Sequence, residues 1–125
     1  MLILRHLPPQ ADHPVALTIG NFDGVHLGHC AMLERVIASA RSLQVASCVM
    51  TFEPHPREFF APDQAPTRLT SLREKLERLA LSGIDRVLVE RFGYDFARIG
   101  AEEFIDRILV QALAVRWVLV GDDFR

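Results

Sequence analysis

The passage from Val15 to His29 constrains this chain most. Val15-Ala16-Leu17-Thr18-Ile19 is apolar apart from Thr18 and does not alternate. That is the pattern of a strand buried on both faces, which belongs in a parallel sheet. The strand runs into Gly20-Asn21-Phe22-Asp23-Gly24-Val25-His26-Leu27-Gly28-His29, and from about Leu27 the spacing turns helical. Strand, glycine-rich turn and helix start form a layout that binds phosphate. Glycines let the backbone approach a ligand, and the positive end of the helix dipole favours an anion.

The rest of the chain repeats the alternation. Residues 2 to 5 read as a short edge strand, and Pro8, Pro9 and Pro14 mark an irregular connection after it. Leu33, Val36, Ile37, Ala40 and Leu43 share one face of the first helix. Val45 to Phe52 is a second buried strand, stopped by Glu53-Pro54-His55-Pro56. Residues 57 to 70 read as a loop. Ser71-Leu72-Arg73-Glu74 matches a capping box, and the helix it opens carries Leu72, Leu76, Leu79 and Ala80 and stops near Gly83. Arg86 to Arg91 is a third strand, followed by a loop with Phe92, Tyr94 and Phe96. Ala101 to Leu113 is a helix with Phe104, Ile105, Ile108, Leu109 and Ala112 as its stripe, and Val115 to Val120 is a last buried strand.

This order predicts an α/β fold: a Rossmann-like parallel sheet of four to five strands with helices on both faces. It also predicts that residues 20 to 29, Glu53 to Pro56, the loop from Phe92 and residues 121 to 125 lie along one edge. That edge is where such sheets bind ligands.

Composition narrows the function. A length of 125 residues suits one domain, and a net charge of −2 supplies no basic field for nucleic acid. An anion must then be held by local geometry. The apolar N-terminal run is too short for a signal peptide or a membrane span, so no membrane partner is expected. Cys30 and Cys48 lack metal-ligand spacing and read as two reduced, buried thiols of a cytoplasmic protein.

His26 and His29 stand three apart at a helix's first turn and can lean toward one point, with Gly28 between them. Imidazole donates hydrogen bonds to phosphate and can carry positive charge beside it. Three readings compete: two phosphate-facing histidines, incidental histidines at a surface helix start, and a zinc pair with Asp23 as third ligand. For Glu53 to Pro56, a simple strand stop competes with a ligand-bordering loop. Arg68 and Arg73 are either phosphate partners or ordinary surface arginines. Phe59, Phe60, Tyr94 and Phe96 either stack on a ring or cluster under loops. Asp123 is either a substrate contact or a turn residue.

The stretch Gly20 to His29 resembles the signature of the HxGH nucleotidylyltransferases. In this expanded form it is similar to the N-terminal domain of the bacterial bifunctional riboflavin kinase/FMN adenylyltransferase (FAD synthetase) family. Thr51-Phe52-Glu53-Pro54-His55-Pro56, Arg68-Leu69-Thr70-Ser71-Leu72-Arg73-Glu74-Lys75 and Val120-Gly121-Asp122-Asp123-Phe124-Arg125 resemble three further family segments, in the family's order.

The resemblance implies an enzyme that transfers AMP from ATP to FMN, giving FAD and pyrophosphate, with Mg²⁺. It implies His26 and His29 as catalytic residues. Gly20, Asn21, Phe22, Asp23, Gly24 and Gly28 would bind ATP with them, and Pro54, His55, Pro56, Asp123 and Phe124 would lie on the FMN side. No residue is assigned to a metal. The resemblance further implies a continuation past Arg125: a Ser/Thr- and Arg-bearing motif that helps bind the ATP phosphates, then a riboflavin kinase domain. On that expectation, residues 1 to 125 are the adenylyltransferase domain, truncated at its C-terminus. Alternatives are an adenylyltransferase with another phosphorylated acceptor and a nucleotide-binding fragment without catalysis.

Overall fold

In a computed structural model, residues 1–5, 13–22, 27–53, 72–91 and 99–120 are described. The elements follow as β1 (Leu2–Leu4), β2 (Val15–Ile19), α1 (Leu27–Leu43), β3 (Ala46–Glu53), α2 (Leu72–Leu81), β4 (Arg86–Arg91), α3 and β5 (Val115–Val120). Helix α3 opens at Ala101–Glu103 and continues as a π-type helix over Phe104–Ala112.

The strands form one five-stranded sheet in the order β1-β4-β3-β2-β5, every neighbouring pair parallel. The chain steps from β2 to β3 to β4, then returns to the other side of β2 for β5. Reversing the direction of travel with right-handed crossovers puts the returning helix on the opposite face. Helices α1 and α2 accordingly pack one face through Leu33, Val36, Ala40 and Leu79, against Ala16, Val49 and Val87. Helix α3 packs the other through Ile108 and Ala112, against Leu17, Met50 and Leu88. The α/β sheet with helices on both faces is therefore as expected.

Strand β2 is buried at every position because it lies between two strands and two helix layers. Its polar member, Thr18, donates its hydroxyl to the Leu119 carbonyl across the sheet at 2.9 Å. At the opposite end of the strands, the Asp85 carboxylate accepts the Ser47 backbone N–H at 2.9 Å and the Ser47 hydroxyl at 3.1 Å. This ties the start of β3 to the turn into β4.

Several local expectations need correction. Strand β5 is an edge strand with alternating burial, leaving Val118 and Val120 exposed. Leu43 is exposed because α1 ends directly after it, where Gln44 turns left-handed (φ 58°). Cys30 is exposed and only Cys48 is buried. On α2 the buried positions are Lys75 and Leu79, so the sheet-facing stripe is turned away from Ala80, which is exposed. On α3 Ile105 is exposed, because i→i+5 turns such as Leu113 N–H to Ile108 C=O at 3.1 Å hold more residues than an α turn.

The end of α1 carries a testable strain. Val45 N–H bonds the Ala40 carbonyl at 2.9 Å and Gln44 N–H bonds the Arg41 carbonyl at 3.2 Å. This is a Schellman closure with glutamine where glycine is preferred. Gln44→Gly should raise stability by up to about 1 kcal/mol, measured by urea unfolding, because the left-handed backbone costs an L residue roughly that much.

Burial pushes the Cys48 thiol up to about 12, against a smaller opposing pull from the Arg86 charge. Below the ordinary value of 9.0 the folded and unfolded chains both hold that proton. Between 9.0 and about 12 only the folded chain keeps it, so rising pH favours unfolding. The wild-type melting temperature should therefore fall more steeply over that range than that of Cys48→Ala.

Candidate active site

The C-terminal ends of the strands share one edge. Ile19, the last residue of β2, lies opposite Met50 of β3 and Val120, the last residue of β5. Glu53 lies opposite Arg91 where β3 and β4 end. The strand order reverses between β2 and β5, and open α/β sheets bind ligands in the crevice at such a reversal. The glycine-rich stretch leaves β2 at this point.

Its first residues are held firmly. Gly20 N–H donates to the Met50 carbonyl at 3.1 Å, so the chain follows β3 for one residue beyond the strand. The Asn21 carbonyl then accepts two hydrogen bonds, from the Lys75 ammonium at 2.8 Å and from the Thr51 hydroxyl at 3.0 Å. Lys75 also donates to the Thr51 hydroxyl at 3.1 Å and stands 4.0 Å from a Glu53 carboxylate oxygen. Lys75 is only 2 % exposed. Burying a cation costs several kcal/mol unless acceptors replace its water. Here a carbonyl, a hydroxyl and a carboxylate supply that replacement.

Phe22 follows in the left-handed region, with φ 54°. A bulky residue there costs on the order of 1–3 kcal/mol. Full burial of the ring among the α1-side core residues offsets it by a similar amount. The Phe22 ring meets the His29 imidazole at a centroid distance of 4.9 Å and an interplanar angle of 41°. His29 is the third residue of α1 and is itself buried.

Among the predicted site residues, Gly20, Asn21, Phe22, Gly28 and His29 are therefore brought together at the end of β2 and the first turn of α1. The positive end of the dipole of a 17-residue helix lies at that turn. Asp23, Gly24, His26, Pro54, His55, Pro56, Asp123 and Phe124 lie outside the described residues. So do Arg68, Phe59, Phe60, Tyr94 and Phe96. Arg73 behaves as a surface arginine, paired with Glu77 one helical turn away at 3.1 Å.

Lys75 is the residue that sequence reasoning passed over. It stands three residues after Leu72 and four before Leu79, on the apolar stripe of α2. A lysine in the middle of a core-facing stripe was the available signal, since buried lysines need partners. Among the described residues, no group of three histidine, cysteine or acidic side chains is arranged to hold a metal, and no helix is long and apolar enough to cross a membrane.

Thr51→Val tests the anchor directly. It removes one donor to the Asn21 carbonyl and one acceptor from Lys75. The expected loss is about 1–3 kcal/mol in urea unfolding, with unchanged cooperativity.

Comparison with known proteins shows the family. The FAD synthetase family profile matches residues 8–125. The bifunctional riboflavin kinase/FMN adenylyltransferase of Escherichia coli K12 is 53% identical over 122 residues, which cover 98% of this chain and 39% of that protein. The protein of the same name from Pseudomonas fluorescens is 50% identical over 97% of this chain and 38% of its own length. The chain thus spans roughly two fifths of these curated relatives. A crystal structure of a macrolide-efflux protein from Streptococcus pneumoniae matches with a TM-score of 0.81 at 22% identity, covering 98% of this chain and 42% of that one. At that identity the likeness concerns the fold alone. The match along almost the whole sequence, on a parallel α/β sheet with its glycine-rich stretch at the strand reversal, makes this chain a member of the FAD synthetase family.

Proposed function

We propose that this chain carries the adenylyl-transfer site of a longer bifunctional riboflavin kinase/FMN adenylyltransferase. The reaction is ATP plus FMN giving FAD plus pyrophosphate. The observation that carries the reading is the family match over residues 8–125, on a fold whose glycine-rich stretch enters α1 at the strand reversal.

A phosphate oxygen of FMN attacks the α-phosphorus of ATP. The bond from that phosphorus to the bridging oxygen breaks, and pyrophosphate leaves with the electron pair. The attacking phosphate is already ionised near neutral pH, so no strong general base is required. Positioning two anions and neutralising the leaving group's charge are the main tasks. Gly20, Asn21, Phe22, Asp23, Gly24 and Gly28 shape the nucleotide pocket. His26 and His29 face the triphosphate with the helix dipole behind them. Pro54, His55, Pro56, Asp123 and Phe124 border the flavin phosphate.

The oxygen donors described near Lys75 do not form a Mg²⁺ cage. The Asn21 carbonyl and the Thr51 hydroxyl are engaged by Lys75, and Glu53 stands beside its ammonium. Mg²⁺ would enter with ATP and would help neutralise its phosphate charge, and no residue of this chain is assigned to hold it. The family's riboflavin kinase domain is the expected covalent partner, and the cytoplasm the expected compartment.

Incubation with ATP, FMN and Mg²⁺, followed by chromatography for FAD, tests the proposal, with calorimetric titration of ATP alongside. FAD formation supports it. ATP binding without FAD supports a binding-only fragment, and a product with nicotinamide mononucleotide or phosphopantetheine in place of FMN supports another acceptor. Failure by residues 1 to 125 with success by a longer chain that continues past Arg125 supports an incomplete site, and failure by both rejects the reading. His29→Ala should slow FAD formation by about 10²–10³-fold, the usual cost of one charge-stabilising donor.

A further inference from the structure

We infer that Lys75 is a positioning residue for His29, acting through the Asn21–Phe22 peptide. The inference rests on the reading of His29 as a phosphate-facing group.

The argument begins with what defines the conformation of Phe22. Its φ angle is the rotation about the N–Cα bond, which sets the Asn21–Phe22 peptide plane relative to the groups on the Phe22 Cα, the side chain among them. The peptide plane is gripped at the Asn21 carbonyl by Lys75 at 2.8 Å and Thr51 at 3.0 Å. The ring is gripped by the core. With both ends held, Phe22 stays at φ 54°, a region that a bulky side chain rarely adopts. In that conformation its ring lies 4.9 Å from the imidazole of His29.

Lys75 itself comes from α2, far along the chain, and its side chain is held by Thr51 and Glu53 on β3. Three elements therefore determine one backbone rotation, and that rotation sets the ring against which His29 packs. Removing the ammonium takes away one of the two described donors to the Asn21 carbonyl. The hold on the peptide weakens, it relaxes toward an ordinary φ, and His29 loses its contact with the Phe22 ring.

Magnetic resonance of the histidine-labelled chain reads this without nucleotide. The His29 signal is identified by its loss in His29→Gln. In the wild type its ring protons should be displaced from the values of an unstructured histidine by the Phe22 ring current, and Phe22→Leu should abolish the displacement. Lys75→Met should remove at least half of it, while Lys75→Arg, which keeps a charged donor, should retain most. An unchanged His29 signal in a folded Lys75→Met chain overturns the inference, and so does an undisplaced signal in the wild type.

If Lys75→Met does not fold, Thr51→Val decides. That change removes one of the two described bonds to the Asn21 carbonyl, so it must move the His29 signal part of the way in the same direction. A stationary signal overturns the inference. Because no turnover is measured, failure here is distinct from failure to make FAD.

Discussion

A buried ammonium has to be surrounded by oxygen, and in this molecule that requirement joins three parts of the chain. Lys75 reaches from α2 to the end of β3, where Thr51 and Glu53 meet it, and to the first peptide beyond β2 at Asn21. The cost of desolvating the charge is recovered only while all three stay in place. The arrangement therefore acts as a positional constraint more than as a source of stability. It ties the departure of the glycine-rich stretch to the sheet, and the next residue, Phe22, stands in the left-handed region.

The sheet supplies the frame for this constraint. Every strand pair is parallel, so the strand ends fall on one edge. The chain steps through β3 and β4 and then returns to β5, so β2 lies beside the point where the order reverses. Residues of β2 pack into the core on both of its faces, Leu17 and Ile19 on one and Ala16 on the other, so its side chains must fit two layers at once. A fully buried strand, one left-handed residue and one buried cation thus meet at this strand end, and His29 packs on the ring of that residue.

Much of this was legible beforehand. The uninterrupted apolar run at Val15 to Ile19 announces a strand covered on both faces, and the helical spacing from Leu27 announces α1. What was not legible follows from long-range contact. Val115 to Val120 is as apolar as an interior strand, yet its place at the edge of the sheet exposes Val118 and Val120. Cys30 read as a buried thiol, but its position on α1 faces solvent while His29 beside it is buried. Ile105 fitted an α-helical stripe, and π-type winding rotated it outward.

Local periodicity and the glycine-histidine stretch were enough, by themselves, to determine the parallel α/β class, the order of its elements and the place where the glycine-rich stretch leaves β2 and α1 begins. These depend on neighbours in sequence: which residues alternate, which repeat at a helical interval, and where glycines interrupt. Only the tertiary structure decided that Lys75 lies beneath Asn21, that Phe22 turns left-handed and that His29 packs on its ring. Lys75 is separated from Asn21 by 54 residues, and nothing in the local chemistry of either announces the other. Their pairing arises because a lysine on an apolar helix face must find oxygen, and folding brings the Asn21 carbonyl and the Thr51 hydroxyl within its reach.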